Sequence, residues 1–272
     1  MWLARQLAVL CLIGVGACVS ISAGKPTADV DRATEREMVV LLHGLGRGEA
    51  AMWFLASRIE RAGFHVVRIG YNSLADSPER IVVAVSQKID ACCKASPKPV
   101  HFVGHSLGGL IIRAYLAENR PRVLGRVVLI ATPNAGTPVV DNYRNSWWMG
   151  LAGPTAKSLG TGPDSFPNSL PAPDYPVGVI AGIWSRYGVD LIPGDDDGLV
   201  SLESTKVTGM ADFIIVASNH AWMRYSQEVT RQTIAFLRSG RFLRDGGEAA
   251  AVKRVRIGLG SPRRPRSVEI PG

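Results

Sequence analysis

The apolar runs of this chain are continuous where a half-buried strand would alternate. Residues 38–42, 64–69, 98–103, 126–130, 177–181 and 213–216 are each rich in Val, Ile, Leu and Phe, mostly without strict alternation. A strand covered on one face shows a period of two; a strand covered on both does not need one. Between these runs lie helical patterns at 49–62, at 78–95, after Ser106 and at 227–238, with Ser77 a suitable N-cap before Pro78. Strands alternating with helices of these lengths predict an α/β chain with a mostly parallel, doubly wound sheet. In such sheets, sites form beyond the carboxyl ends of the strands. At 272 residues the chain suffices for one such domain with a large core. One segment breaks the rhythm. Residues 138–176 are rich in Pro, Gly, Ser and Asn and contain Trp147-Trp148-Met149-Gly150-Leu151. That is too long for a simple connection and predicts a cap, lid or binding loop. A surface loop tucking its aromatics into the core is the alternative.

The third run leads into Gly104-His105-Ser106-Leu107-Gly108, a G-x-S-x-G pentapeptide set where a strand turns into a helix. Flanking glycines let the chain turn tightly enough to present the serine hydroxyl. A serine nucleophile needs a base, and histidine suits neutral pH. Of five histidines, His65 and His101 fall inside strands and read as core residues, and His105 is expected to point away from its neighbour Ser106. His43 belongs to a glycine loop. His220 remains, just after the last strand. Asp195, Asp196 and Asp197 precede it and offer three candidates for the acid that orients the base. An oxyanion needs two N–H donors. Leu107 follows the nucleophile, and Leu45 lies in His43-Gly44-Leu45-Gly46 after the first strand. Read as a nucleotide loop, Gly44-x-Gly46-x-Gly48 has the wrong spacing and no Walker lysine.

Five blocks in order, His43-Gly44-Leu45-Gly46, Gly104-His105-Ser106-Leu107-Gly108-Gly109, Ala131-Thr132-Pro133-Asn134-Ala135-Gly136-Thr137, Asp197-Gly198-Leu199-Val200-Ser201 and Asn219-His220, resemble α/β-hydrolases of the bacterial lipase/esterase type. The resemblance implies the α/β-hydrolase fold and hydrolysis of carboxylic esters, often lipids. It also implies a triad of Ser106, His220 and Asp197, the aspartate directly before Gly-Leu-Val, acting through an acyl-enzyme. Related secreted lipases carry an aspartate shortly after the histidine that helps bind calcium. Here Ala221-Trp222-Met223 follows, so neither metal nor cofactor is expected. The cap is shorter than in many such lipases, which weakens the case for long-chain triacylglycerol and leaves a shorter ester open. Acyl transfer, or hydrolysis of an amide or thioester, would use the same residues. A non-catalytic envelope protein on the hydrolase fold is the alternative from another class.

The ends read as appendages to a domain spanning 38–240. Arg5 precedes an apolar run from Leu7 to Val19, the length of an export signal. Val15-Gly16-Ala17-Cys18 resembles a lipoprotein signal that would lipidate Cys18; cleavage near Ser22-Ala23 is the competing reading. A leader over 1–23, a polar linker over 24–37 and an exported bacterial location (periplasm, envelope or secreted) follow as expectations. Membrane association through Cys18 or the leader would be consistent. The stretch 241–272 has eight Lys/Arg against three acids, five of the net +8, and predicts a poorly ordered tail. Without interleaved aromatics it does not suggest nucleic-acid binding. Cys11 and Cys18 lie in the leader. Cys92 and Cys93, adjacent on a helix, are expected to be structural or free thiols.

Overall fold

The six apolar runs form six strands: β1 Met38–Leu42, β2 His65–Ile69, β3 Val100–His105, β4 Leu124–Ile130, β5 Val177–Ile183 and β6 Asp212–Ala217. The computed structural model describes residues 36–184 and 192–244. The expected leader, the linker through residue 35 and the tail beyond residue 244 lie outside the described residues. All five strand pairings are parallel, in the order β2-β1-β3-β4-β5-β6. β3 starts and ends two residues later than the apolar run suggested. Pro99 has no N–H to give a ladder, and its carbonyl instead accepts from Met38 N–H at 2.9 Å. At the far end Gly104 is still in register with Leu42.

Successive strand residues go to opposite faces, as a period of two requires. Val40, Leu42, Phe102, Val127, Leu129 and Val179 pack in one core with two helices, α2 Pro78–Cys93 and α3 Leu107–Glu118. Val39, Leu41, Val103, Val128, Ile130 and Ile180 pack in the other, with α1 Trp53–Arg61 and the last helix, Gln227–Ser239. The chain after β1 thus goes to one face and the chain after β3 to the other. Strand order reverses between these neighbours, which opens a crevice at their carboxyl ends.

Local chemistry sets the element ends. Ser77 accepts from Arg80 N–H and Pro78 opens α2, as expected. The pattern at 49–62 is not one helix. Gly48 has no side chain to cap it, and its first turn, Glu49–Met52, is a 3-10 helix. Residues 138–176 contain α4 Pro138–Tyr143, a 3-10 turn Trp147–Gly150, α5 Gly153–Lys157 and α6 Phe166–Ser169. Buried Thr155 ties this segment to the β2–α2 connection through Asp76 O. In the WWMGL stretch Trp147 stays exposed and Met149 is buried. Downstream, α7 is Leu202–Thr205, and Gln227–Ser239 becomes α8, capped by the Ser226 side chain and ended by left-handed Gly240.

Two expectations are corrected. Cys92 and Cys93 are bonded to each other rather than free, being adjacent at the last turn of α2 with Cα atoms 3.7 Å apart. His65 is only half-buried, because β2 is the edge strand. His101 is buried as expected, with a specific task. The β3–β4 register shifts between Val100 and Phe102, and there His101 Nδ1 accepts from Arg126 N–H at 2.9 Å while Nε2 donates to Glu37 at 3.1 Å. The imidazole replaces the ladder acceptor that the irregularity removes. His101→Leu fills similar space but leaves Arg126 N–H without an acceptor. It should lower the unfolding free energy by about 1–3 kcal/mol in urea titration at neutral pH; unchanged stability would contradict this role.

Candidate active site

Ser106 sits between β3 and α3 with φ 55° and ψ −124°. A non-glycine residue held there stores roughly 1–3 kcal/mol of backbone strain. Its neighbours show why glycines flank it. A Cβ on Gly104 would stand 2.4 Å from Gly109 N, and one on Gly108 would stand 2.5 Å from Leu42 O. The start of α3 therefore presses against the ends of both β1 and β3, and Ser106 is turned out of the sheet at their shared crevice.

His220, on the loop after β6, reaches Ser106 from the side. Its Nε2 lies 3.0 Å from Ser106 Oγ and its Nδ1 lies 2.7 Å from Asp197 Oδ2. A carboxylate only accepts, so the proton sits on Nδ1 and Nε2 presents a lone pair to the serine. Asp197 has a fully buried side chain. Its other oxygen accepts from Leu199 N–H at 3.0 Å and Val200 N–H at 2.8 Å. Its backbone carbonyl accepts from His220 N–H at 2.9 Å. Of the three aspartates only Asp197 meets His220. Asp196 accepts instead from Gly198 N–H, and partial burial pushes its carboxyl above the usual range.

The glycine loop after β1 meets the same point. A Cβ on Gly44 would lie 3.1 Å from Ser106 Cβ. His43 braces this loop: its Nε2 accepts from Tyr71 N–H at 3.3 Å and its Nδ1 donates to Gly44 O at 2.9 Å. The Tyr71 ring stacks on it at 4.1 Å, and Tyr71 Oη donates to His43 O. With the Gly44 carbonyl held by His43, the planar trans peptide directs Leu45 N–H the opposite way. That amide has no protein acceptor among the described residues, while Gly46 N–H donates to Ser73 Oγ at 2.9 Å. Leu107, fully buried, opens α3, where the first amides lack intrahelical acceptors.

Ser106, His220, Asp197 and the glycine loop at 43–46 thus gather at one crevice. A hydroxyl, a lone pair aimed at it, a buried carboxylate behind that lone pair and a glycine loop beside it make an arrangement able to transfer a proton from serine as it attacks a carbonyl. Two contributors were not foreseen. His43 was read only as part of the glycine loop. His105, expected to point away, donates from Nε2 to the His220 carbonyl at 3.0 Å. Neither contact has a signal in residue spacing.

The model of the palmitoyl protein thioesterase family matches residues 38–164, which include Ser106 and the glycine loop but end before Asp197 and His220. No curated protein matches the sequence significantly. Among solved structures, the mature lipase BlEst2 of Bacillus licheniformis is similar at a TM-score of 0.60 and 17% identity, over 75% of this chain and 92% of that one. Phospholipase PlaB of Legionella pneumophila is similar at 0.56 and 16% identity, over 81% of this chain and 63% of that one. A thioesterase from Silicibacter sp. TM1040, described as putative, is similar at 0.53 and 16% identity, over 74% and 76%. At these identities the likeness is one of fold.

The buried histidines also set a pH dependence. Burial holds His43 and His101 below their ordinary pKa, and burial, aided by nearby His220, pushes His105 down to about 3. Below the unfolded value of 6.5, the unfolded chain takes up a proton that native His105 refuses, so stability falls with pH toward the folded value. Each unit costs about 1.4 kcal/mol. Glutamine at this position can keep the donor to His220 O without titrating. Between pH 6.5 and 4.5, His105→Gln should therefore lose about 2 kcal/mol less unfolding free energy than the parent in urea titrations. Equal losses would contradict a neutral, buried His105.

Proposed function

We propose that this chain, which has the α/β-hydrolase fold of esterases, lipases and thioesterases, is a serine hydrolase of carboxylic esters. The observation that carries the reading is the line of hydrogen bonds from Ser106 through His220 to Asp197. Ser106 Oγ attacks the acyl carbon while His220 Nε2 takes its proton. Asp197 holds the Nδ1 proton and stabilises the imidazolium that forms. The Leu45 and Leu107 amides receive the oxyanion of the tetrahedral intermediate; one such donor lowers the barrier by about 3 kcal/mol in comparable enzymes. His220 returns the proton to the departing alcohol, and the acyl group stays on Ser106. Water, activated by His220 in turn, then releases the acid.

A second reading, hydrolysis of a thioester, is favoured by the family model over residues 38–164. It needs no change in the residues named. A thiolate leaves more readily than an alkoxide, so the two substrate classes differ in how much they need His220 as acid. Either acyl group suits lipid-like substrates, the class named for the similar lipase and phospholipase. The leader and the Cys18 motif support action outside the cytoplasm. A bonded Cys92–Cys93 pair suits an oxidising compartment.

Ser106→Ala should lower turnover of p-nitrophenyl esters by about 10⁴-fold or more with the fold retained. Retained turnover would overturn the assignment. Asp197→Asn should cost about 10⁴-fold by allowing the wrong His220 tautomer, whereas Asp196→Asn should stay within about twofold, since Asp196 does not touch the base. Equal effects of the two substitutions would contradict the role given to Asp197. A parallel panel of short and long p-nitrophenyl esters and acyl thioesters separates the two substrate readings by their kcat/KM.

A further inference from the structure

Between α1 and the segment that follows His220 lies a cavity of about 590 Å³, lined by Phe54 and Arg58 on one side and Ala221, Trp222, Arg224 and Tyr225 on the other. This volume falls within the roughly 300–1,000 Å³ of small-ligand sites. Its aromatic rings form one connected surface. Trp53 meets Phe54 edge-on at 4.9 Å, Phe54 meets Tyr225 at 5.3 Å, and Tyr225 meets Trp222 at 5.5 Å. Trp53, Phe54 and Trp222 nevertheless remain 53%, 47% and 64% exposed. A contiguous aromatic surface left open in a well-packed domain marks a binding face.

Among the described residues the positive charge in this cavity meets no carboxylate, only neutral acceptors and the Tyr225 ring, which lies 4.5 Å from the Arg224 guanidinium. Arg224 is only 8% exposed; its Nη1 donates to Ala221 O at 2.7 Å, its Nη2 to Tyr225 Oη at 3.2 Å, and its buried Nε has no partner. Arg58 donates to Tyr225 O at 2.7 Å and to Thr230 Oγ1 at 3.4 Å. All these acceptors are neutral. Among the described residues, neither guanidinium meets a carboxylate. Two cations share one mostly aromatic cavity with no counter-charge, and guanidinium groups pair best with carboxylate or phosphate.

We propose that this cavity binds an amphipathic anion, an apolar chain ending in a carboxylate or a phosphate. The chain lies on Phe54, Trp222 and Tyr225, and the head faces Arg58 and Arg224. The site abuts the catalytic histidine through Ala221 and Trp222, yet it does not require Ser106 to be a nucleophile. The same chemistry is offered by a free amphiphile and by the headgroup of an anionic lipid.

The test is calorimetric titration of the full chain carrying Ser106→Ala, which prevents turnover and leaves this cavity intact. Decanoate and decyl phosphate, kept below their micelle concentrations, are compared with decanol. Vesicles of phosphatidylglycerol are compared with vesicles of phosphatidylcholine. Saturable binding of the anions at least tenfold tighter than decanol assigns a free amphiphile. Binding confined to phosphatidylglycerol vesicles assigns a lipid headgroup. In either case Arg58→Gln should weaken binding at least tenfold. Trp222→Ala, at an exposed position that the fold does not need, should weaken it as well and serves if Arg58→Gln fails to fold. Absence of binding to either source, equal binding of decanol and decanoate, or binding untouched by both substitutions would overturn the proposal. A Ser106→Ala chain that still turns over esters would remove the hydrolase reading and leave this result standing.

Discussion

A carboxylate without exposed surface has to be met by donors, and Asp197 takes three: two backbone amides of its own turn and the Nδ1–H of His220. The turn Asp197-Gly198-Leu199-Val200 is therefore shaped around a charge. The same residue's backbone carbonyl also holds His220 N–H, so the two residues are tied at backbone and side chain together. This double attachment fixes the imidazole where Ser106 Oγ can reach it. On the opposite side the sheet supplies the serine through the close approach of Gly104 and Gly108 to neighbouring backbone. Removing the Asp197 carboxylate would leave the turn without its acceptor and His220 Nδ1–H without its partner.

The framework around this contact is two-sided. The helix after β1 and the helix after β3 cover opposite faces, and the resulting crevice receives a glycine loop from β1 and Ser106 from β3. His105 stands at the same junction. Its ring bonds the His220 carbonyl and lies against Gly44, so one neutral imidazole touches both the loop that carries Leu45 and the loop that carries His220. Its neutrality follows from complete burial. A charged ring there would have no acid to answer it, which is why the site and the acid stability of the fold are linked.

Much of this was legible in the sequence. Continuous apolar runs announced strands covered on both faces, and the strand-turn-helix around Ser106, the lone histidine after the last strand and the glycine loop after the first each had a local signature. Physics alone left Asp195, Asp196 and Asp197 equal, because the choice depends on which carboxylate the turn buries. That is a property of three-dimensional packing, visible only when Leu199 and Val200 amides converge on one oxygen. The roles of His43, His101 and His105 were hidden for the same reason: each partners a residue distant in sequence or a register irregularity no periodicity reports. The helical turns in 138–176 were masked by Pro and Gly, which disfavour long helices but permit single turns. The bonded Cys92–Cys93 pair ran against the expectation of structural or free thiols.

The central claim is that Ser106 is a nucleophile activated by His220. Its most direct test is labelling of the intact protein with an alkyl fluorophosphonate, followed by peptide mapping by mass spectrometry. The account predicts one adduct, on Ser106, formed rapidly in the parent and abolished by His220→Ala. An unlabelled protein, an adduct on a different residue, or labelling of Ser106 at the same rate without His220 would contradict it.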